Sequence, residues 1–279
     1  MKMMNVNRFR RLVKGLLPLC FLFFVPLFAN AQCGYRNTAF KSGEFLSYNL
    51  YYNWKFVWVK AGTASMSTVQ SQYRGNPAWR GSLITRGNRK VDEMFVLRDT
   101  LLCYSSIDLM PLYFRKGAHE GSRYTVDEVF YNYSSGTPSL RLHRQHRDGS
   151  NTWKNKTSNE CVFDMMNMFL RARSFNPEGW KKGHVLSFPI AEGKDVDLAQ
   201  LRYRGKVTIK ADNGKKYRCL QLSYMEKDNG KYKEIVRFYV TDDQNHIPVR
   251  LDMYLRFGAA KAFLVGMKGI RNPITSEVE

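Results

Sequence analysis

The feature that most constrains this chain is a two-residue period. In LSYNLYYNWKFVW, alternate positions carry Leu46, Tyr48, Leu50, Tyr52, Trp54, Phe56 and Trp58, while Ser47, Asn49, Tyr51, Asn53, Lys55 and Val57 lie between them. Successive side chains of an extended strand point to opposite faces, so such a segment has a dry side and a wet side. The same rhythm returns twice. Leu201, Tyr203, Gly205, Val207 and Ile209 alternate with Arg202, Arg204, Lys206, Thr208 and Lys210. Ile247, Val249, Leu251, Met253, Leu255 and Phe257 alternate with Pro248, Arg250, Asp252, Tyr254, Arg256 and Gly258.

Single-sided strands joined by short turns, such as TDDQNH before Ile247, build an antiparallel sheet. The pattern predicts further strands at 61–72, 77–87, 98–106, 110–117, 123–133, 139–147, 184–190, 215–225 and 233–241. Unbroken extension from Gly43 to Gln72 would reach roughly 100 Å at about 3.3 Å per residue, so that stretch must bend. We place one strand at 44–53, an aromatic bend at 54–60 and a partner strand from 61. No long linker, low-complexity stretch or internal repeat divides residues 32–279, which read as a single β-rich domain. The fold class is mainly β: a large twisted antiparallel sheet or open barrel.

One segment breaks the rhythm. In SNECVFDMMNMFLRAR, Val162, Met165, Met166, Phe169 and Leu170 follow i, i+3, i+4 spacing. Ser158 or Asn159 can cap the start, and Arg171 and Arg173 suit a helix C-terminus. This predicts one principal helix near 160–173, lying across the open side of the sheet with its Met/Phe stripe used for packing.

The first 31 residues carry Lys2, Arg8, Arg10, Arg11 and Lys14, then an apolar run from Leu16 to Phe28, then Ala29-Asn30-Ala31. A basic start, a short greasy core and an A-x-A site describe a secretory signal peptide, and Pro18 and Pro26 oppose a stable helix there. Cleavage after Ala31 leaves a chain beginning Gln32-Cys33. An acylated Cys33 would have to be the first residue, and Gln32 stands before it, so simple export is the reading. That makes the chain an exported one, with the periplasm or the outer membrane expected ahead of release from the cell.

Loss of the five basic leader residues lowers the formal net charge from +20 to +15. The anions available to an exported chain are lipid headgroups, lipopolysaccharide and wall polymers, and export argues against nucleic acid. The basic positions Arg202, Arg204, Lys206, Lys210, Arg250 and Arg256 decorate wet strand faces and form a candidate docking surface. Four cysteines remain, Cys33, Cys103, Cys161 and Cys219, which permits two disulfides in three pairings. A Cys33–Cys161 bridge would tie down the N-terminus, and Cys103 and Cys219 sit in strand patterns as packed thiols.

A search for chemistry finds little. His143 and His146 in LHRQHRDG fall on opposite faces of a strand, so they do not converge on a metal. His119-Glu120 has no second carboxylate or nucleophile tied to it by spacing. Phosphate-binding, dinucleotide, hydrolase-elbow and zinc motifs do not occur, and Asp242-Asp243-Gln244-Asn245 lacks the glycine and glutamate of a calcium loop. No cofactor or metal is expected, and nothing argues for an enzyme. The apolar face carries the remaining interest: Tyr48, Tyr52, Trp54, Phe56 and Trp58 are candidate lining for a lipid or other greasy ligand inside a curved sheet. The competing readings are an envelope interaction protein with a filled core and a basic docking surface, and, behind both, a hydrolase with an unrecognised site.

Several stretches together resemble an uncharacterised envelope family of Gram-negative bacteria, domain of unknown function 3108. They are FKSGEFLSYNLYYNW, AGTASM, FVLRDTLLCY, MPLYFRKGAHEG, CVFDMMNMFLRAR, LRYRGKVTI and RFYVTDDQNHIPVRLDMYLRFGAAKAFL, spanning about residues 40–273. The resemblance implies an exported protein with an open-barrel sheet like that of periplasmic lipoprotein carriers, with a helix near the concave side. It supplies no catalytic residues.

Overall fold

The computed structural model describes residues 33–279 apart from 55–56, 94, 134–136 and 256–257, and it leaves out the side chain of Trp54. The signal-peptide reading of residues 1–31, Phe56 and Arg256 therefore lie outside the described residues. Fifteen strands and two helices follow in chain order: β1 (Glu44–Trp54), β2 (Val57–Tyr73), β3 (Asn76–Gly87), α1 (Arg89–Asp92), β4 (Leu97–Ser106), β5 (Pro111–Glu120), β6 (Arg123–Asn132), β7 (Ser139–Gln145), β8 (Asn151–Thr157), α2 (Met165–Ala172), β9 (Val185–Ala191), β10 (Val196–Lys210), β11 (Lys216–Asp228), β12 (Lys231–Thr241), β13 (Pro248–Tyr254), β14 (Ala259–Lys268) and β15 (Glu277–Val278).

The chain lays β1 to β8 side by side as one antiparallel meander. It then crosses through α2 and returns as a second meander, β9 to β14, whose last strand pairs with the free edge of β1. The short β15 pairs with β11. The hydrogen-bonded path thus ends at β8 and β9, which do not pair with each other. Right-handed twist curls so long a sheet on itself until those ends approach. Side chains then bridge the gap. Asp195, in the β9–β10 turn, takes Lys154 and Lys156 of β8 at 3.2 and 2.7 Å. Gly193 in the same turn is pressed so closely on β6 and β7 that an added Cβ would lie 2.1 Å from Asp127 Oδ1 and 2.6 Å from the His143 carbonyl.

One end of this open barrel is plugged. Ala39 and Phe40 are fully buried there, and Phe40 meets Trp79 edge-on at 5.1 Å. Buried Asn245, in the β12–β13 turn, donates to the Asn272 and Pro273 carbonyls of the C-terminal segment, and Arg271 donates to the Asn37 carbonyl. A disulfide joins Cys33 to Cys161, 128 residues apart, fastening the segment that enters the plug to the one that leads into α2. Cys103 and Cys219 are buried free thiols.

Residues 57–60, expected in an aromatic bend, instead open β2, and the helix and β10 also depart from the sequence pattern. The helix is two turns long over Met165–Ala172, capped by Asp164 rather than Ser158 or Asn159. Its predicted first turn stays extended because Phe163 pairs with β9, donating to the Pro189 carbonyl at 3.1 Å and accepting from the Ala191 N–H at 2.6 Å. In β10 the alternation breaks at a bulge between Tyr203 and Gly205, where Gly205 takes φ 114°. Leu201 and Tyr203 face inward, Val207 is exposed, and Ile209 is buried in a different cluster with Tyr217 and Cys219. Past the bulge the β10–β11 hairpin bends over the barrel wall, and Asn49 and Tyr51 donate to Asp212 in its turn at 2.9 and 2.8 Å.

Candidate ligand-binding cavity

Helix α2 works as a wedge between two cores. Met166 and Leu170 pack with the larger cluster, which joins side chains of β1 to β7 to others from β10 to β14, and Gly81 allows this approach because an added Cβ would sit 2.9 Å from both Leu170 and Cys103. Met168 joins the second cluster, with Phe188, Leu201, Leu222 and Val240 of β9 to β12. Both ends of the helix are fixed by buried charge. The N-cap Asp164 accepts from the backbone N–H groups of Met166 and Asn167, from the Asn167 amide and from the Tyr131 hydroxyl at 2.6 to 3.0 Å. Burial outweighs these donors and pushes its pKa up to about 6. At the C-cap, Arg173 makes a bidentate pair with Glu44 of β1 and donates twice to the Asn245 carbonyl, at 3.1 and 3.0 Å.

Between this wedge and the inner faces of β1–β3 and β9–β14 lies a cavity of about 280 Å³. Its wall is made of cross-strand rows. Leu50, Ala262, Leu251, Phe238 and Leu222 stand in register on five neighbouring strands, followed towards the open end by Met253, Val236, Tyr224 and Leu201. Met165, Met168, Phe169 and Ala172 face them from the helix. Ala64, Ala172 and Ala262 occupy wall positions where larger side chains would have filled the space.

The polar groups collect at the two ends. At the plugged end the Tyr48 hydroxyl donates to the Pro248 carbonyl at 3.1 Å. Burial holds His246 below its ordinary pKa, and the neutral ring donates from Nδ1 to the Arg173 carbonyl at 2.6 Å. Arg173 is already satisfied by Glu44, so this end offers no unspent charge. At the other end stand half-buried Glu226, raised first by burial and then by Glu192 and Asp197, and Met165, which is 42% exposed. The cavity reaches solvent on that side. In its lining the Tyr224 hydroxyl is hydrogen-bonded to the Glu226 carboxylate, and among the described residues no group of three or more His, Cys, Asp and Glu side chains is placed to hold a metal. The arrangement can hold an apolar body.

Of the five aromatic residues singled out in the sequence, Tyr48 lines this cavity. Tyr52 continues the inner row at the open rim, opposite Ala260, where an added Cβ on Gly258 would meet its hydroxyl at 2.9 Å. Trp54 closes β1. Trp58 is 38% exposed with the Lys261 ammonium 4.0 Å above its ring. The β1–β2 hairpin reverses the chain after Trp54, and a register shift between Leu50 and Tyr51 precedes it, so the single parity of Leu46 to Trp58 ends before Trp58. The helix stripe and the Val236-Phe238-Val240 alternation of β12 were the signals for the rest of the wall.

The basic strand positions are largely neutralised. Lys206 pairs with Asp242 at 2.8 Å, Arg250 forks onto Asp252 at 2.7 Å, and Arg204 donates to Ser223 beside Glu234. Arg202 is half-buried and Lys210 is exposed. His143, weighed as a metal ligand, is held between Glu128 and Asn151 at 2.7 Å each.

The model of the family described as "Protein of unknown function (DUF3108)" matches residues 47–265. Among solved structures, a beta-barrel-like protein of domain of unknown function DUF1849 from Brucella abortus is similar, with a TM-score of 0.51 and 11% identity over 85% of this chain and 100% of that one. That likeness concerns the fold alone. A "putative exported protein with YmcC-like fold" from Bacteroides fragilis (TM-score 0.35, 10% identity, 85% of this chain and 100% of that one) and a "putative lipoprotein" from Parabacteroides distasonis (0.36, 9%, 84% and 97%) are more distant. No curated protein matches. No helix among the described residues is long and apolar enough to cross a membrane. The chain belongs to the DUF3108 family.

Proposed function

We propose that this DUF3108 member is a non-catalytic binder or carrier of an apolar or amphiphilic, lipid-like ligand in the cell envelope. The envelope setting rests on the export signal read in the sequence. The observation that carries the binding reading is the apolar cavity under α2, walled by the Leu50–Leu222 row and by Met165, Met168 and Phe169. Core side chains normally interdigitate to crystal-like density, and voids of this size are few. Dry cavities lined by Leu, Ile and Phe accept small apolar guests.

Size limits the guest. About 280 Å³ is roughly nine water-sized volumes at ~30 Å³ each, the scale of a single acyl chain of moderate length. Burying nine methylenes at about 0.8 kcal/mol each gives a gross gain near 7 kcal/mol, of which association consumes at least about 4. A tail alone therefore binds weakly.

The test is native mass spectrometry of protein purified without detergent, comparing the wild type with Ala172→Trp, which places a large ring in the cavity from the half-buried face of α2. Bound lipid in the wild type and none in a folded Ala172→Trp variant supports the proposal. A wild type that carries nothing and takes up no added fatty acid removes it.

A further inference from the structure

Large apolar side chains are exposed together at the open end of the barrel. Val57 (61% exposed), Trp58 and Val59 begin β2, and Tyr254 and Leu255 (49% exposed) end β13. The two hairpin ends touch: Lys261 of β14 lies over the Trp58 ring, and Gly258 sits against Tyr52 and the Asn53 carbonyl. The loop after β3 extends the same rim. Asn88 bonds the Lys60 and Ala61 carbonyls of β2 at 2.6 and 2.8 Å, and that loop carries exposed Phe95 against Gly121 of the β5–β6 turn.

This rim is continuous with the cavity. Val59 pairs with Tyr52, which continues the inner row of Met253, and Leu255 lies two residues beyond Met253. Soluble monomers rarely leave contiguous apolar surface of this kind uncovered. The rim is also basic. On the Trp58 side Lys60 and Lys90 are exposed, and Arg98 and Arg89 pair with the nearby acids Asp92 and Glu93 at 3.0 and 3.4 Å; the acids Glu226, Glu192 and Asp197 lie across the mouth on the β9–β12 side, and Glu120 is exposed beside Gly121.

We infer that this rim docks on an anionic lipid bilayer and so turns the cavity mouth toward the membrane. The inference rests on the carrier reading above for its purpose, but not for its chemistry. Strand ends that project from a barrel rim suit a bilayer, which accepts apolar protrusions without a complementary shape. Tryptophan and tyrosine settle at the headgroup level, where one side is apolar and the other wet. Lysine and arginine beside them gain from the negative surface potential of anionic lipid. A protein groove would instead call for a concave or flat apolar surface with paired rim charges.

The experiment is co-sedimentation of the mature chain with phosphatidylethanolamine–phosphatidylglycerol vesicles and with phosphatidylcholine vesicles. The wild type should partition onto the anionic vesicles and little onto the neutral ones. Lys60→Glu and Lys90→Glu should each weaken that partition by roughly fivefold or more, with a steep dependence on salt. Val57→Asp combined with Leu255→Asp should lower it by about tenfold or more without moving the melting temperature, because both residues are exposed. Ala172→Trp should bind vesicles like the wild type, which separates docking from cavity occupancy. Equal binding to both vesicle types, or wild-type binding by the Val57/Leu255 double variant, overturns the inference. Vesicle binding by a protein that carries no lipid would leave docking standing and remove the carrier reading instead.

Discussion

Replacing Arg173 by methionine tests how α2 is held over the cavity. The Arg173 and Glu44 side chains are 2% and 1% exposed, and the guanidinium donates four hydrogen bonds, two to the Glu44 carboxylate and two to the Asn245 carbonyl. Arg173→Met keeps most of the volume but leaves the Glu44 carboxylate buried without a counter-charge. Breaking a buried pair from one side costs about 3–5 kcal/mol, whereas replacing both partners by apolar groups is often nearly neutral. For a domain of this size each kcal/mol moves the melting temperature by roughly 2–4 °C, so Arg173→Met should melt on the order of 10 °C lower. Urea unfolding followed by tryptophan fluorescence measures the free energies. Glu44→Met should be similarly destabilising, and the double variant should recover at least half of either loss. Additive costs in the double variant, or a loss under about 1 kcal/mol in Arg173→Met, would show that the pair does not fasten the helix.

Three further outcomes follow from the same architecture. Asp164 has a folded pKa of about 6 against an ordinary 3.8, so the folded state holds its proton more tightly than the unfolded chain. Its contribution is full below about pH 4 and fades as pH rises through 6, so the wild type should lose roughly 3 kcal/mol relative to Asp164→Asn across that window in paired urea titrations. Replacing Cys33 and Cys161 by serine frees a loop of 128 residues and should cost about 3–5 kcal/mol, read from the same unfolding curves. Gly193→Ala should lower stability by about 1–3 kcal/mol by pushing the β9–β10 turn off Asp127 and the His143 carbonyl, and amide exchange should rise along β8 and β9.

Most of the sheet is legible in the sequence because one-sided strands advertise themselves. The exceptions have physical reasons. β8 reads NTWKNKT, an edge strand whose only large apolar residue, Trp153, is exposed under Arg141 and beside His143, so it carries no dry face to detect. β14 presents only Ala260 and Ala262 to the barrel interior at its start, small residues without a strong pattern, and the turn before it falls inside the alternation running to Phe257. Gly258, at φ 77°, marks that turn. The helix was visible, but its start was not. Phe163 follows the apolar spacing of a helix while its backbone bonds to β9.

The cavity was less legible than the fold. A row such as Val236, Phe238 and Val240 reads the same whether it meets another side chain or empty space. The outcome depends on three alanines, Ala64, Ala172 and Ala262, that come together from distant parts of the chain. The bend expected at 54–60 is a tighter hairpin, with β1 running to Trp54 and β2 starting at Val57, and it ends the parity that begins at Leu46. That parity delivers Tyr48 and Leu50 to the cavity, and the hairpin leaves Trp58 at the rim.

The most direct measurement is a crystal soaked with a terminally brominated decanoic acid and examined for anomalous bromine signal. The account predicts a peak between Phe169 of α2 and the Phe238–Leu251 stretch of wall, with the carboxylate end toward solvent near Met165. A well-ordered crystal with the space under α2 empty, or with bromine only on the outer faces of the strands, would contradict it.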